Sequence, residues 1–183
     1  MLWVVGASSG LGAAIAVDAA KHGAKIVLTA RRKKELEKVK TSCLDAGRYW
    51  DMKTGDVLVL PLDITNTGDL EGAVKTVIKK MGKISSVMLC VGKIHRERWE
   101  RTDMKTDREL LELNTLSQVS LSRLVVPHMV ERNNGSFGIV LCVEAILGAP
   151  FSGTFVASKQ VKEHRLKSDV KRLWLISTKV SCV

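Results

Sequence analysis

Short apolar runs alternate along this chain with segments of helical spacing. Residues 2–5 form an uncharged apolar run. A run of that length bounded by a turn reads as a strand buried on both faces. Residues 13–22 follow as an alanine-rich helix closed by Gly23. Residues 24–29 are a second strand. Residues 33–44 are an amphipathic helix with Leu36, Val39 and Cys43 near the helical period. A polar connection, 45–55, leads to a third strand at 57–62. A helix at 69–81 ends at Gly82, and a fourth strand at 86–91 ends at Gly92. Residues 93–105 are charged and irregular. A long amphipathic helix then covers 108–130, with Leu110, Leu111, Leu113, Leu116, Val119, Leu121, Leu124 and Val125 partly buried. Asn114 lies inside that helix and needs polar partners there. A fifth strand is expected at 137–143, a strongly basic helix at 155–173, and the start of a sixth strand at 179–183.

Two strands flanking a helix make a parallel, right-handed unit. Five such alternations, without repeats or low-complexity linkers, predict one α/β domain over residues 1–183. Its core is a doubly wound parallel sheet with helices on both faces, and the chain stops after the sixth strand begins.

The turn after the first strand carries the densest chemical signal. Gly6-Ala7-Ser8-Ser9-Gly10-Leu11-Gly12 places three glycines between a strand and a helix. Gly6 permits a sharp turn, Gly10 lets a phosphate approach the backbone, and Gly12 lets the helix sit close to the strand. The first helical N–H groups then face an anion. The spacing is G-x-x-x-G-x-G, so taken alone it also suits an ordinary tight turn. The second strand ends in Ala30-Arg31-Arg32. An acid there would bind a ribose 2′-hydroxyl, whereas a basic residue accommodates a 2′-phosphate, so NADP is favoured over NAD. Asp63-Ile64 follows the third strand, where ligands of open α/β sheets bind. Asp63 suits an adenine amino group or the cap of the next helix.

Composition narrows the partners. The chain has 183 residues, 45% of them hydrophobic, enough for a sizeable core. No apolar run could span a bilayer and no signal peptide precedes the first strand, so a cytoplasmic location is expected for the chain as given. Cys43, Cys90, Cys142 and Cys182 lack metal spacing and read as buried thiols, with no metal site. The net charge is +10, in clusters at 31–34, 93–101 and 159–172. Aromatic residues are only 4%, too few for a stacking platform, so nucleic acid is not the expected partner. The last two clusters read as solvated helix faces.

These motifs, with Leu62-Asp63-Ile64-Thr65, Leu113-Asn114 and Ala157-Ser158-Lys159 in this order, resemble the short-chain dehydrogenase/reductase family. Residues 28–32, 57–63 and 119–129 are most similar to its dehydrogenase/reductase member 7 branch. The resemblance implies a Rossmann-type fold and an NADP(H) cofactor held by Gly6, Ser8, Ser9, Gly10, Leu11, Gly12, Arg31, Arg32, Asp63, Ile64, Gly92 and Lys159. It implies hydride transfer to or from a small carbonyl or alcohol of steroid, retinoid or xenobiotic type, and a homodimer formed through the helices near 114–130 and 155–173. It also implies an endoplasmic reticulum membrane location where a longer form carries the branch's N-terminal anchor.

In that family a tyrosine exchanges the proton, a lysine four residues on supports it, a serine polarises the carbonyl, and an asparagine holds a relay water. By position the asparagine is Asn114 and the lysine Lys159. The tyrosine position holds Phe155 and the serine position Ala145. Neither side chain can exchange a proton, so impaired catalysis is expected. The family's Asn-Asn-Ala-Gly is here Leu89-Cys90-Val91-Gly92, the 148–155 loop is short, and the family's seventh strand and substrate cover are not expected in the chain as given. Two other readings stay open. One is an active NADP(H)-dependent oxidoreductase seen as a partial chain. The other is a basic surface-binding protein without cofactor.

Overall fold

The apolar runs pair side by side into one sheet with strand order β3-β2-β1-β4-β5-β6, every pair parallel, in a computed structural model that describes residues 1–169 and 174–178. The strands are β1 (Leu2–Val5), β2 (Ile26–Ala30), β3 (Val57–Pro61), β4 (Ser86–Leu89), β5 (Ser136–Val140) and β6 (Trp174–Thr178). The helices are α1 (Gly10–Lys21), α2 (Lys33–Ala46), α3 (Thr67–Met81), α4 (Met104–Leu111), α5 (Ser117–Glu131), α6 (Glu144–Leu147) and α7 (Gly153–Asp169). This is the expected Rossmann-type arrangement.

The alternation of side chains on β1 explains why its run is apolar throughout. Trp3 and Val5 face a core completed by Leu70, Val74 and Val77 of α3 and by Leu121, Val125 and Met129 of α5. Val4 faces the opposite core, against Ala16 and Ala20 of α1 and Leu36 and Cys43 of α2. A strand covered on both faces has no polar side. The indole N–H of buried Trp3 donates to Thr29 Oγ1 at 2.8 Å, which satisfies its one polar atom.

The chain runs outward from β1 to β3, then returns beside β1 as β4. That reversal opens a crevice at the carboxyl ends of β1 and β4, the place where open α/β sheets bind ligands.

Several expected bounds move. Helix α1 begins at Gly10 rather than 13, because the helical pattern was carried by alanines that start later. Helices α4 and α5 are one continuous rod from Met104, joined by a π-helical segment, Glu112–Leu116. Asp103 accepts from Thr106 N at its start, inside the stretch expected to be irregular. Leu116 and Leu124 of this rod are exposed, not partly buried. The polar 45–55 connection holds two single 3₁₀ turns, Arg48–Trp50 and Thr54–Asp56. Strand β6 lies before the expected segment, because its apolar residues pair with β5. The expected strand at 179–183, with Cys182, lies outside the described residues. Among the described residues no helix is long and apolar enough to cross a membrane.

Candidate functional site

A groove of about 620 Å³ opens at the carboxyl ends of the first four strands. Gly6, Ser8, Ser9, Arg31, Arg32, Asp63, Ile64 and Gly92 all line it. Gly10, Leu11 and Gly12 form the first turn of α1 behind this lining, and Leu11 is exposed. Gly6 turns the chain at φ +91°, a conformation L side chains rarely adopt. Gly12 packs the helix onto the turn: a Cβ there would lie 2.2 Å from the Gly6 carbonyl oxygen. Gly12→Val is therefore expected to destabilise the domain by at least about 1–3 kcal/mol through overpacking, read as a lower urea midpoint.

The start of α1 has no acidic residue in its first turn, and Ser9 makes no side-chain cap. Its positive end is left for an external anion. The Arg32 guanidinium donates to Ser8 Oγ and Ser9 Oγ, both at 3.0 Å, and so stands across this turn. Arg31 lies 3.9 Å from Asp63 Oδ2. The Thr65 hydroxyl and its backbone N–H both donate to Asp63 Oδ1. These bonds, the hydroxyl foremost, hold the carboxyl below its usual range, with Arg31 adding to them. Asp63 thus closes a local turn, while Asn66 occupies the cap position of α3. The expectation that Asp63 caps the next helix gives way to that arrangement.

At the other end, the π segment sets Asn114. An extra residue in a helical turn disturbs the regular carbonyl ladder. Here Ser117 Oγ bonds the Leu113 carbonyl, and Gln118 Nε2 bonds those of Leu113, Asn114 and Val91. The Asn114 side chain, fully buried, accepts from Lys93 N at 2.9 Å and donates to Lys93 O and Ser158 Oγ. Ser158 Oγ donates in turn to the Phe155 carbonyl at 2.7 Å. Asn114, Ser158 and the α7 backbone are thereby locked together.

Phe155 is 2% exposed, and the Lys159 ammonium lies 5.8 Å from its ring centroid. Gly92 makes room for that ammonium, since a Cβ there would lie 2.4 Å from Nζ. Ala145 is buried, and its carbonyl accepts from Gln160. The thiol of Cys90, which lines the groove, is pushed up to about 11 by burial, against the pull of Lys162 and Lys159. It is protonated at neutral pH and no nucleophile. Tyr49 is 88% exposed, on the turn after α2 whose Trp50 bonds the carbonyl of Lys21 at the end of α1. It belongs to the opposite end of the sheet.

Two residues escaped the reading of the sequence. Gln118 stitches the π segment to the end of β4. Lys162 is fully buried, its Nζ donating to Gln118 Oε1 at 3.3 Å and to the Val140 carbonyl at 3.2 Å. Burial, followed by the nearby Lys159, holds its amine well below the usual lysine range. The expectation that the basic residues of α7 form a solvated face fails at Lys159 and Lys162. Both lie on the inner side of the helix, and no periodic apolar signal marks them.

The family model for short chain dehydrogenases matches residues 1–168. The chain belongs to the short chain dehydrogenase family. It is 42% identical over 159 residues to dehydrogenase/reductase SDR family member 7 of Homo sapiens and 40% identical to the Mus musculus protein. Those alignments cover 87% of this chain and 46% of each relative. The chain thus spans about half the length of the curated relatives it matches. An alcohol dehydrogenase from the archaeon Thermococcus sibiricus, solved with 5-hydroxy-NADP, shares the fold at TM-score 0.87 and 20% identity. It covers all of this chain and 76% of the archaeal one. A short-chain dehydrogenase from Streptomyces avermitilis matches at TM-score 0.82 and 25% identity, over 95% of this chain and 61% of its own. Nicotinamide dinucleotides are the cofactors of this family. The groove fits such a molecule: it has the volume of a ligand site, glycines where a Cβ would collide, an uncapped helix start and a cation across it. Among the described residues no cluster of side chains could hold a metal ion.

Proposed function

We propose that this short chain dehydrogenase domain binds NADP(H), preferring it to NAD(H), and that its catalysis is impaired at the proton-transfer step. The observation that carries the reading is the contrast between the two ends of the site. One end has a shaped groove with Arg32 across Ser8 and Ser9. The other has a buried phenyl ring beside the Lys159 ammonium. Arg31 and Arg32 would hold a 2′-phosphate by charge-assisted hydrogen bonds. The start of α1 would face the pyrophosphate, and Lys159 the nicotinamide ribose. A bound nicotinamide supplies hydride chemistry. This chain's part is to orient it and to move a proton on the substrate oxygen, and Phe155 and Ala145 offer no hydroxyl for that. A small carbonyl or alcohol is the substrate class in this reading. A homodimer belongs to it as well, supported by the exposed Leu116 and Leu124 on the α4–α5 rod and Val161 on α7.

The test is calorimetric titration with NADPH and NADH in parallel. NADPH is expected to bind more tightly. Arg32→Ala is expected to weaken NADPH by about tenfold, the scale of a lost charged hydrogen bond, and to leave NADH nearly unchanged. Equal affinity for both nucleotides, before and after the substitution, would remove the arginine pair from the cofactor reading.

A further inference from the structure

The amino-terminal edge of the sheet, away from the nucleotide groove, holds a cavity of about 640 Å³. Four segments meet there: Met1 ahead of β1, residues 23–25 ahead of β2, residues 81–83 at the end of α3, and Arg132 at the end of α5. Lys25, Lys83 and Arg132 line it, and no acidic side chain does. It shares no lining residue with the nucleotide groove.

These cations are unequally compensated. Lys25 Nζ lies 3.0 Å from Asp56 Oδ1. Among the described residues Lys83 and Arg132 have no ion pair. Arg132 Nη1 donates to the Ile84 carbonyl at 3.1 Å, which fixes the guanidinium at the cavity while its other N–H groups stay available. Helix carboxyl ends carry partial negative charge and attract cations. Those of α1 and α3 already have Lys21, Lys79 and Lys80 in their last turns. Lys83 and Arg132 therefore add a positive field beyond what these ends call for. The Met1 amino group registers that field: burial first, then Lys83, Arg132 and Lys25, hold it below its usual range.

We propose that this cavity binds a phosphomonoester, its phosphate held between the Lys83 ammonium and the Arg132 guanidinium with Lys25 beside them. A phosphomonoester carries close to two negative charges near neutral pH, which matches the two cations that have no ion pair. The planar fork of an arginine suits phosphate oxygens. Gly23, Ala24, Met81 and Gly82 complete the wall and leave the organic part of the ester in a small, apolar surrounding. The assignment rests on the three side chains and not on the Met1 amine.

The test titrates the ¹⁵N-labelled chain with methyl phosphate at pH 8, following the amide resonances of Ala24, Gly82 and Lys83. Acetate and sodium chloride at equal ionic strength serve as comparisons. An Arg32→Ala background keeps phosphate out of the nucleotide groove, and Ser9 and Gly10 report on that groove separately. Saturable shifts with methyl phosphate, weaker with both comparisons, are expected. Lys83 is exposed, so Lys83→Met should melt as the parent does while binding methyl phosphate about fivefold more weakly, the scale of one exposed ion contact. Lys83→Glu should abolish saturation. Phosphatidylcholine vesicles with and without phosphatidic acid distinguish the source of the ester: cosedimentation that needs both phosphatidic acid and Lys83 assigns it to a lipid headgroup, and none assigns it to a soluble molecule. No saturable shift at these amides, shifts matched by acetate or chloride, or unchanged affinity in both Lys83 variants would overturn the proposal.

Discussion

Phe155→Tyr combined with Ala145→Ser is expected to raise NADPH-dependent reduction of a small activated ketone by about 10²-fold or more, measured as loss of NADPH absorbance. General acid catalysis typically supplies about 10²–10⁴-fold. A hydroxyl that polarises the carbonyl supplies roughly 10²–10³-fold if it acts like one oxyanion donor. The two belong to one unit, so their effects will not multiply. The structure favours the first substitution. The Lys159 ammonium, 5.8 Å from the ring centroid, would favour the tyrosinate. Serine at the buried position 145 would add a hydroxyl that needs a partner, so the single Phe155→Tyr variant is the necessary companion. Wild-type turnover equal to that of both variants, with NADPH bound in all three, would end the impaired-catalysis reading.

Lys162→Met is expected to stabilise the domain by about 1–4 kcal/mol near neutral pH, the scale on which packed apolar residues replace buried ionic ones. The expectation lies toward the low end, because two long hydrogen bonds, to Gln118 Oε1 and the Val140 carbonyl, are forfeited. Among the described residues the groups acting on Lys162 are Lys159 from its own helix, which adds to the effect of burial, and Cys90 from the end of β4, which opposes it without overcoming it. Its folded-state proton affinity is lowered, so below 10.5 the unfolded chain holds this proton more firmly than the folded chain does. The penalty is complete below the lowered value and fades as pH rises from there toward 10.5. The stability gap between the variant and the wild type, measured by urea unfolding, should therefore narrow from pH 7 to pH 10. A less stable variant, or a gap that widens with pH, would mean that the lysine is stabilised in the fold.

The legible and illegible parts of the site differ in kind. Gly6, the Arg31–Arg32 pair and Asp63 follow strand ends and Gly12 lies in the first turn of α1, where local sequence already states the backbone geometry. The structure gathers most of them around one groove. Lys162 was illegible because a helical segment rich in lysine reads as solvated. Only the packing of α7 beneath α5 and β5 shows which lysine points inward. The β6 bounds went astray for a related reason: a short apolar run beside a basic helix has no fixed register until β5 is there to pair with it.

By itself, the sequence determined the alternation of strands and helices, the parallel sheet that follows from it, the glycine turn, the basic end of β2, and the absence of hydroxyls at positions 145 and 155. These are properties of side-chain identity and of spacing within one element. The tertiary structure alone decided the burial of Lys159 and Lys162 and the π segment that fixes Asn114. Each depends on which faces of distant segments come together. Burial and hydrogen-bond partnership are set by those long-range contacts rather than by the period of any one stretch.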